Sequence, residues 1–166
     1  MKGFRGMKKL SWWRWRALEL AVALVIVVSI LVLSNAAQWR YRANVPADNW
    51  FSVYAITVPN FRVGENPIIT FDRRIKEPFL GFWVIEVERA EENGRFLAEC
   101  SGSGINSYQV VDYLPKNSVT WDWFIGKRCD TLPVGEYRLR GSWTMKRDDW
   151  PEKVVVAYSN LFKVTP

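Results

Sequence analysis

The chain has 166 residues, enough for one domain of ordinary size plus an appendage. Its apolar fraction of 49% argues against disorder, and the absence of histidine excludes Ser-His and Cys-His nucleophile pairs, a histidine base and every His-ligated metal site. The formal charge of +6 raises the question of nucleic acid, but residues 1–16 hold six cations and no acid, whereas Gln38 to Pro166 carries seventeen Lys and Arg against sixteen Asp and Glu. A near-neutral body has no footprint for a phosphate backbone, so no nucleic-acid partner is expected.

In chain order, the basic head 1–16 precedes Ala17 to Ala37, a run of 21 residues whose only charge is Glu19. As a helix this run spans roughly 31 Å, about one hydrocarbon thickness. Trp12, Trp13 and Trp15 stand at one end, with Trp39 and Tyr41 at the other, where amphipathic rings favour the headgroup region. The lipid bilayer is therefore the first expected partner. The cation-rich flank predicts a cytoplasmic amino terminus and a carboxy-terminal domain in the periplasm or outside the cell, held by an uncleaved signal anchor. A cleaved secretory signal is the competing reading, with Ser34-Asn35-Ala36 as its cleavage site.

Arg16-Ala17-Leu18-Glu19-Leu20 resembles the start of a type IV pilin, in which a basic leader precedes an apolar helix with glutamate at the fifth mature position. The resemblance implies a mature chain beginning at Trp15 and a filament subunit. The sequence departs from that family at Arg14, where the processing peptidase needs a small residue, and Pro46 ends any helix early.

After a linker, 38–49, a β domain is expected over 50–166. Phe51–Val58 is a first strand. Pro67–Ile75 is a second, with Ile69, Phe71, Arg73 and Ile75 on one face. Phe82–Arg89 places Trp83, Ile85 and Val87 on one face and Val84, Glu86 and Glu88 on the other. Glu91-Glu92-Asn93-Gly94 is a hairpin signal before Phe96, Ala98 and Cys100. Ser101-Gly102-Ser103-Gly104 reads as a flexible turn. Val119, Trp121, Trp123 and Ile125 alternate as another strand, and Val134–Met145 and Val154–Val164 complete a set of seven. Seven short strands predict a two-sheet sandwich of immunoglobulin-like architecture. Leu132-Pro133-Val134-Gly135-Glu136-Tyr137 resembles the corner before the penultimate strand of immunoglobulin-like and fibronectin type III domains. The resemblance implies a tyrosine hydroxyl bonded back to the loop and implies no activity.

Cys100 and Cys129 form an even pair in an oxidising compartment, which predicts a disulfide pinning the loop 101–128. No Asn-x-Ser/Thr sequon occurs, so the expected address is the inner membrane of a bacterium, facing the periplasm, or a phage-encoded equivalent. No nucleophile elbow, phosphate loop or calcium-loop pattern is found, so no enzyme, cofactor or metal is expected. The candidate binding surface is aromatic. Trp121 and Trp123 project to one face of their strand near Tyr108 and Tyr113, and Trp150 lies in a polar hairpin tip with Asp148 and Asp149. An exposed indole ringed by charge is a hot-spot residue for protein or glycan. The expected function is a non-catalytic binding or assembly module, an accessory subunit whose partner is another membrane or envelope protein. The alternatives are a filament or virion subunit and a secreted glycan-binding domain.

Overall fold

The computed structural model describes residues 7–110, 117–126, 129 and 131–166. The chain divides into two compact units, Met1–Asn44 and Val45–Pro166. The first contains helix α1, Met7–Asn44. It is mainly β elsewhere, with nine strands in two sheets among the described residues.

Helix α1 runs without interruption through the second half of the basic head and through residues 38–44, so those seven residues are helical where a linker is expected. Ala36, Ala37 and Gln38 are good helix formers, and the next obstacle to propagation is Pro46. Within Trp12–Asn44 an 18-residue window has a mean hydropathy of 2.7 and is not buried inside the protein, making α1 long and apolar enough to cross a membrane. Trp12, Trp13, Trp15, Trp39 and Tyr41 are all exposed. Glu19 faces Arg16 at 4.0 Å, one turn away.

The second unit starts with a 3-10 turn, Ala47–Asn49, and strand β1, Phe51–Thr57. Strand β1 pairs antiparallel with β3, Ile68–Ile75, and β3 with β6, Asn117–Thr120, giving a three-stranded sheet. The larger sheet runs β2-β9-β7-β4-β5, comprising Phe61–Arg62, Phe162–Thr165, Gly135–Lys146, Phe79–Ala90 and Phe96–Tyr108. Strand β8, Lys153–Tyr158, also pairs with β7.

Alternation decides which face of each strand is buried. In β4, Trp83, Ile85 and Val87 point into the core, while Glu86 and Glu88 on the other face lie opposite Arg140 and Arg138 of β7. The Arg138 Nε donates to Glu88 at 2.7 Å, and Arg140 pairs with Glu86. The core is strongly aromatic: Phe51 packs against Phe79, Tyr108 and Trp143 at centroid distances of 5.5, 5.7 and 5.6 Å. Rings of this size let few residues fill the space between two sheets.

Four expectations are corrected here. The run 154–164 is two strands, because Ser159 and Asn160 leave the ladder to join the sheets. Asn160 donates to the Val58 carbonyl at 2.9 Å and accepts from the Val58 N–H at 2.9 Å, while Ser159 Oγ accepts from Leu139 N–H at 2.8 Å. Ser101-Gly102-Ser103-Gly104 is the middle of β5, paired residue for residue with Trp83–Glu86. Its glycines are required by close approach, since a Cβ at Gly104 would meet the Trp83 ring at 2.5 Å and one at Gly102 would strike the backbone of Phe124 and Ile125. Trp121 and Trp123 lie on a five-residue helix, α2 (Trp121–Ile125), and not on a strand. Finally, the strand count is nine among the described residues where seven are expected.

Candidate ligand cavity and the two tryptophan clusters

Helix α2 exists because Trp121, Phe124 and Ile125, at i, i+3 and i+4, all bury on one side. Asn66 substitutes for a local cap: its Oδ1 accepts the Asp122 N–H at 3.2 Å and its Nδ2 donates to Asp122 Oδ2 at 2.8 Å. Gly126, at φ +82°, ends the helix with its N–H on the Asp122 carbonyl. Helical geometry therefore separates the two indoles that a strand would keep together. Trp121 is 1% exposed and packs against Phe61 and Phe162, and its Nε1 has no hydrogen-bond partner among the described residues. Trp123 is 59% exposed and stacks on the Trp83 ring at 6.0 Å with the planes inclined by 30°.

Cys100, on β5, is joined to Cys129, just beyond α2, by the expected disulfide. The bond ties the carboxy-terminal side of α2 to the edge of the larger sheet and so holds Trp123 over Trp83. Tyr113 lies outside the described residues.

Beside Trp123, between the sheets, is a cavity of about 100 Å³. Phe71, Trp83, Tyr108, Phe124 and Trp143 form its buried walls. Asn106, Asn117 and Trp123 are its exposed residues, and Arg73 supplies its charge. Arg73 projects inward because it shares a face with Ile69, Phe71 and Ile75. Its guanidinium lies 5.3 Å from the centre of the Tyr108 ring. Its side chain hydrogen-bonds Tyr108, and its buried Nε has no hydrogen-bond partner among the described residues. Burial pushes the Tyr108 hydroxyl above its ordinary pKa of 10.0; the Arg73 charge and hydrogen bonds with the Trp143, Asn106 and Arg73 side chains pull in the opposite direction. Tyr108 is consequently a neutral phenol at physiological pH. The cavity offers one cation, a phenol, two amides and aromatic walls, a set able to bind and orient but not to transfer protons near neutrality.

The Trp150 tip is a second, closed cluster. Trp150 is half-buried and meets the fully buried Trp50 edge-on at 5.2 Å. The Arg147 guanidinium lies 5.2 Å from the Trp50 ring and 5.5 Å from the Trp150 ring, and pairs with Glu77 at 3.1 Å. Trp150 is thus half-buried against Trp50, not the exposed indole expected of a hairpin tip. Asp148 and Asp149 are exposed in the turn, where Asp149 adopts φ +59°. The structure brings Trp150, Asp148 and Asp149 together, and places Trp123 with Arg73 instead. Sequence reading missed Arg73, Asn106 and Asn117. An arginine on an otherwise apolar strand face is the one signal that could have identified the first.

At the corner before β7, the Tyr137 hydroxyl donates to the Pro133 carbonyl at 2.8 Å, as the resemblance implied for that motif. No protein-family model matches the chain, and no curated protein matches its sequence.

Proposed function

We propose that this protein is a single-pass membrane protein whose amino-terminal helix tethers a non-catalytic binding or assembly module of immunoglobulin-like architecture. The observation that carries the reading is α1 itself: an apolar window of mean hydropathy 2.7 with none of it buried inside the protein. In water so much exposed apolar surface is untenable, whereas lipid is its natural solvent. The architecture is supported by two packed sheets and the Tyr137 corner. The topology, amino terminus in the cytoplasm and domain in the periplasm or outside the cell, rests on the flanking charge and agrees with an oxidised cysteine pair. The partner is another membrane or envelope protein.

The test is extraction of the full-length chain from its native membranes in mild detergent, followed by particle mass, co-purifying chains and the mature amino terminus. A stoichiometric second chain supports the accessory-subunit reading and identifies the partner. A mature start near Trp15 would transfer the protein to the filament class, and one near Ala37, with soluble recovery, to the secreted class.

A further inference from the structure

Arg73 differs from four arginines of the β domain that are held in ion pairs. Arg89, Arg138, Arg140 and Arg147 each face a glutamate within 4 Å, while no ion pair to Arg73 occurs among the described residues. The Arg73 guanidinium is partly buried and hydrogen-bonds the Tyr108 side chain, but its Nε lacks an acceptor among the described residues, which leaves a donor for an incoming group. The planar fork of arginine matches a carboxylate. A space of about 100 Å³ is well below the roughly 300–1,000 Å³ of a drug-sized site, so what enters is a small group rather than a whole ligand.

The surroundings define the rest of that ligand. Trp123 presents an exposed indole face at the cavity rim, backed by Trp83. Aromatic faces are electronegative and attract the weakly positive C–H groups of a saturated ring. Asn106 and Asn117, both exposed at the cavity, each offer a donor pair and an acceptor, which suits hydroxyls that also donate and accept. A fatty acid would leave the amides unused, and a simple carboxylate would leave Trp123 bare.

We propose that this cavity binds an acidic sugar, with the carboxylate of a uronate ring entering toward Arg73 and the ring lying against Trp123. The inference rests on the binding-module reading but not on the membrane anchor. The full-length chain in detergent is titrated with glucuronate, glucose, acetate and N-acetyl-alanine by ligand-observed NMR. Glucuronate is expected to bind about tenfold tighter than glucose, the increment of one charge-assisted hydrogen-bond pair, and tighter than acetate or N-acetyl-alanine. Arg73→Met is expected to abolish the preference for glucuronate over glucose. Trp123→Ala, at an exposed position, should weaken both sugars alike while leaving the unfolding midpoint in place. Equal binding of glucose and glucuronate, or no binding of either, overturns the proposal. N-acetyl-alanine or acetate matching glucuronate overturns it too, by assigning the cavity to a peptide terminus or a plain carboxylate. A chain that stays in the membrane yet ignores glucuronate loses only this ligand; one that binds glucuronate after soluble recovery loses only the anchor.

Discussion

The β domain contains two clusters built from the same materials, and they are put to different ends. In one, Arg147 lies against Trp50 and Trp150 and is neutralised by Glu77, with the Trp50 carbonyl accepting the N–H groups of Lys76 and Glu77 at 2.8 and 3.3 Å. In the other, Arg73 stands among Tyr108, Trp83 and Trp123 beside an open space and has no carboxylate partner among the described residues. A guanidinium on aromatic rings is common to both. The difference lies in the acid: Arg147 has Glu77, whereas Arg73 has none among the described residues, and the proposed acidic ligand rests on that contrast.

Substitutions can break that contrast, and the largest effect belongs to the closed cluster. Trp50→Ala removes an indole that is 2% exposed and is expected to destabilise the domain by about 3–5 kcal/mol in chemical denaturation, against less than about 0.5 kcal/mol for Trp123→Ala. Similar losses at the two positions would mean that Trp123 is core and that the open cluster is not a site. Replacing Cys100 and Cys129 together with alanine opens a loop with a sequence separation of 29 and should cost about 3–4 kcal/mol. Hydrogen exchange should then rise first in α2, because the disulfide anchors that helix; uniform loss across both clusters would break the assignment.

The two arginines give a finer comparison. Arg147→Met leaves Glu77 without its partner and should cost about 1 kcal/mol, a modest figure because both groups retain solvent access. Arg73→Met removes a buried Nε that lacks an acceptor among the described residues but also a hydrogen bond to Tyr108, so it should change the stability of the ligand-free protein by less than about 1 kcal/mol. A loss above about 1 kcal/mol at Arg73 would assign it a structural role. The smallest effect is alkaline. Tyr108 has a pKa raised above 10.0, so an unfolded chain releases that proton before the folded one does. Its contribution is fully present below pH 10.0 and declines as pH rises from there toward the folded pKa, so Tyr108→Phe should flatten the alkaline fall in stability measured by denaturant titration.

Much of the frame was legible because it depends on local pattern. The period-two faces of β3 and β4 predict Ile69, Phe71, Trp83, Ile85 and Val87 in the core, where they lie. The resemblance carried by Leu132 to Tyr137 implies the hydroxyl bond, and the two cysteines predict their own pairing. Residues 121–125 were misread because Trp121, Trp123 and Ile125 satisfy alternation while Trp121, Phe124 and Ile125 satisfy a helical turn. In five residues the two periods cannot be separated, and Asn66, fifty-six positions from Asp122, decides the matter. The segment 101–104 failed for a related reason: Ser and Gly signal a turn locally, but β4 pairs with them and Trp83 needs the space beside Gly104.

The sequence by itself determined the apolar helix with its charge asymmetry, the β character of the domain, the disulfide and the absence of histidine chemistry, because each depends on composition or on spacing along the chain. Only the tertiary structure decided which tryptophans are buried, and that Arg73, Asn106, Asn117 and Trp123, drawn from β3, β5, β6 and α2, border one cavity. Burial and enclosure are properties of several segments at once, and no local period encodes which distant strand will supply the opposite wall.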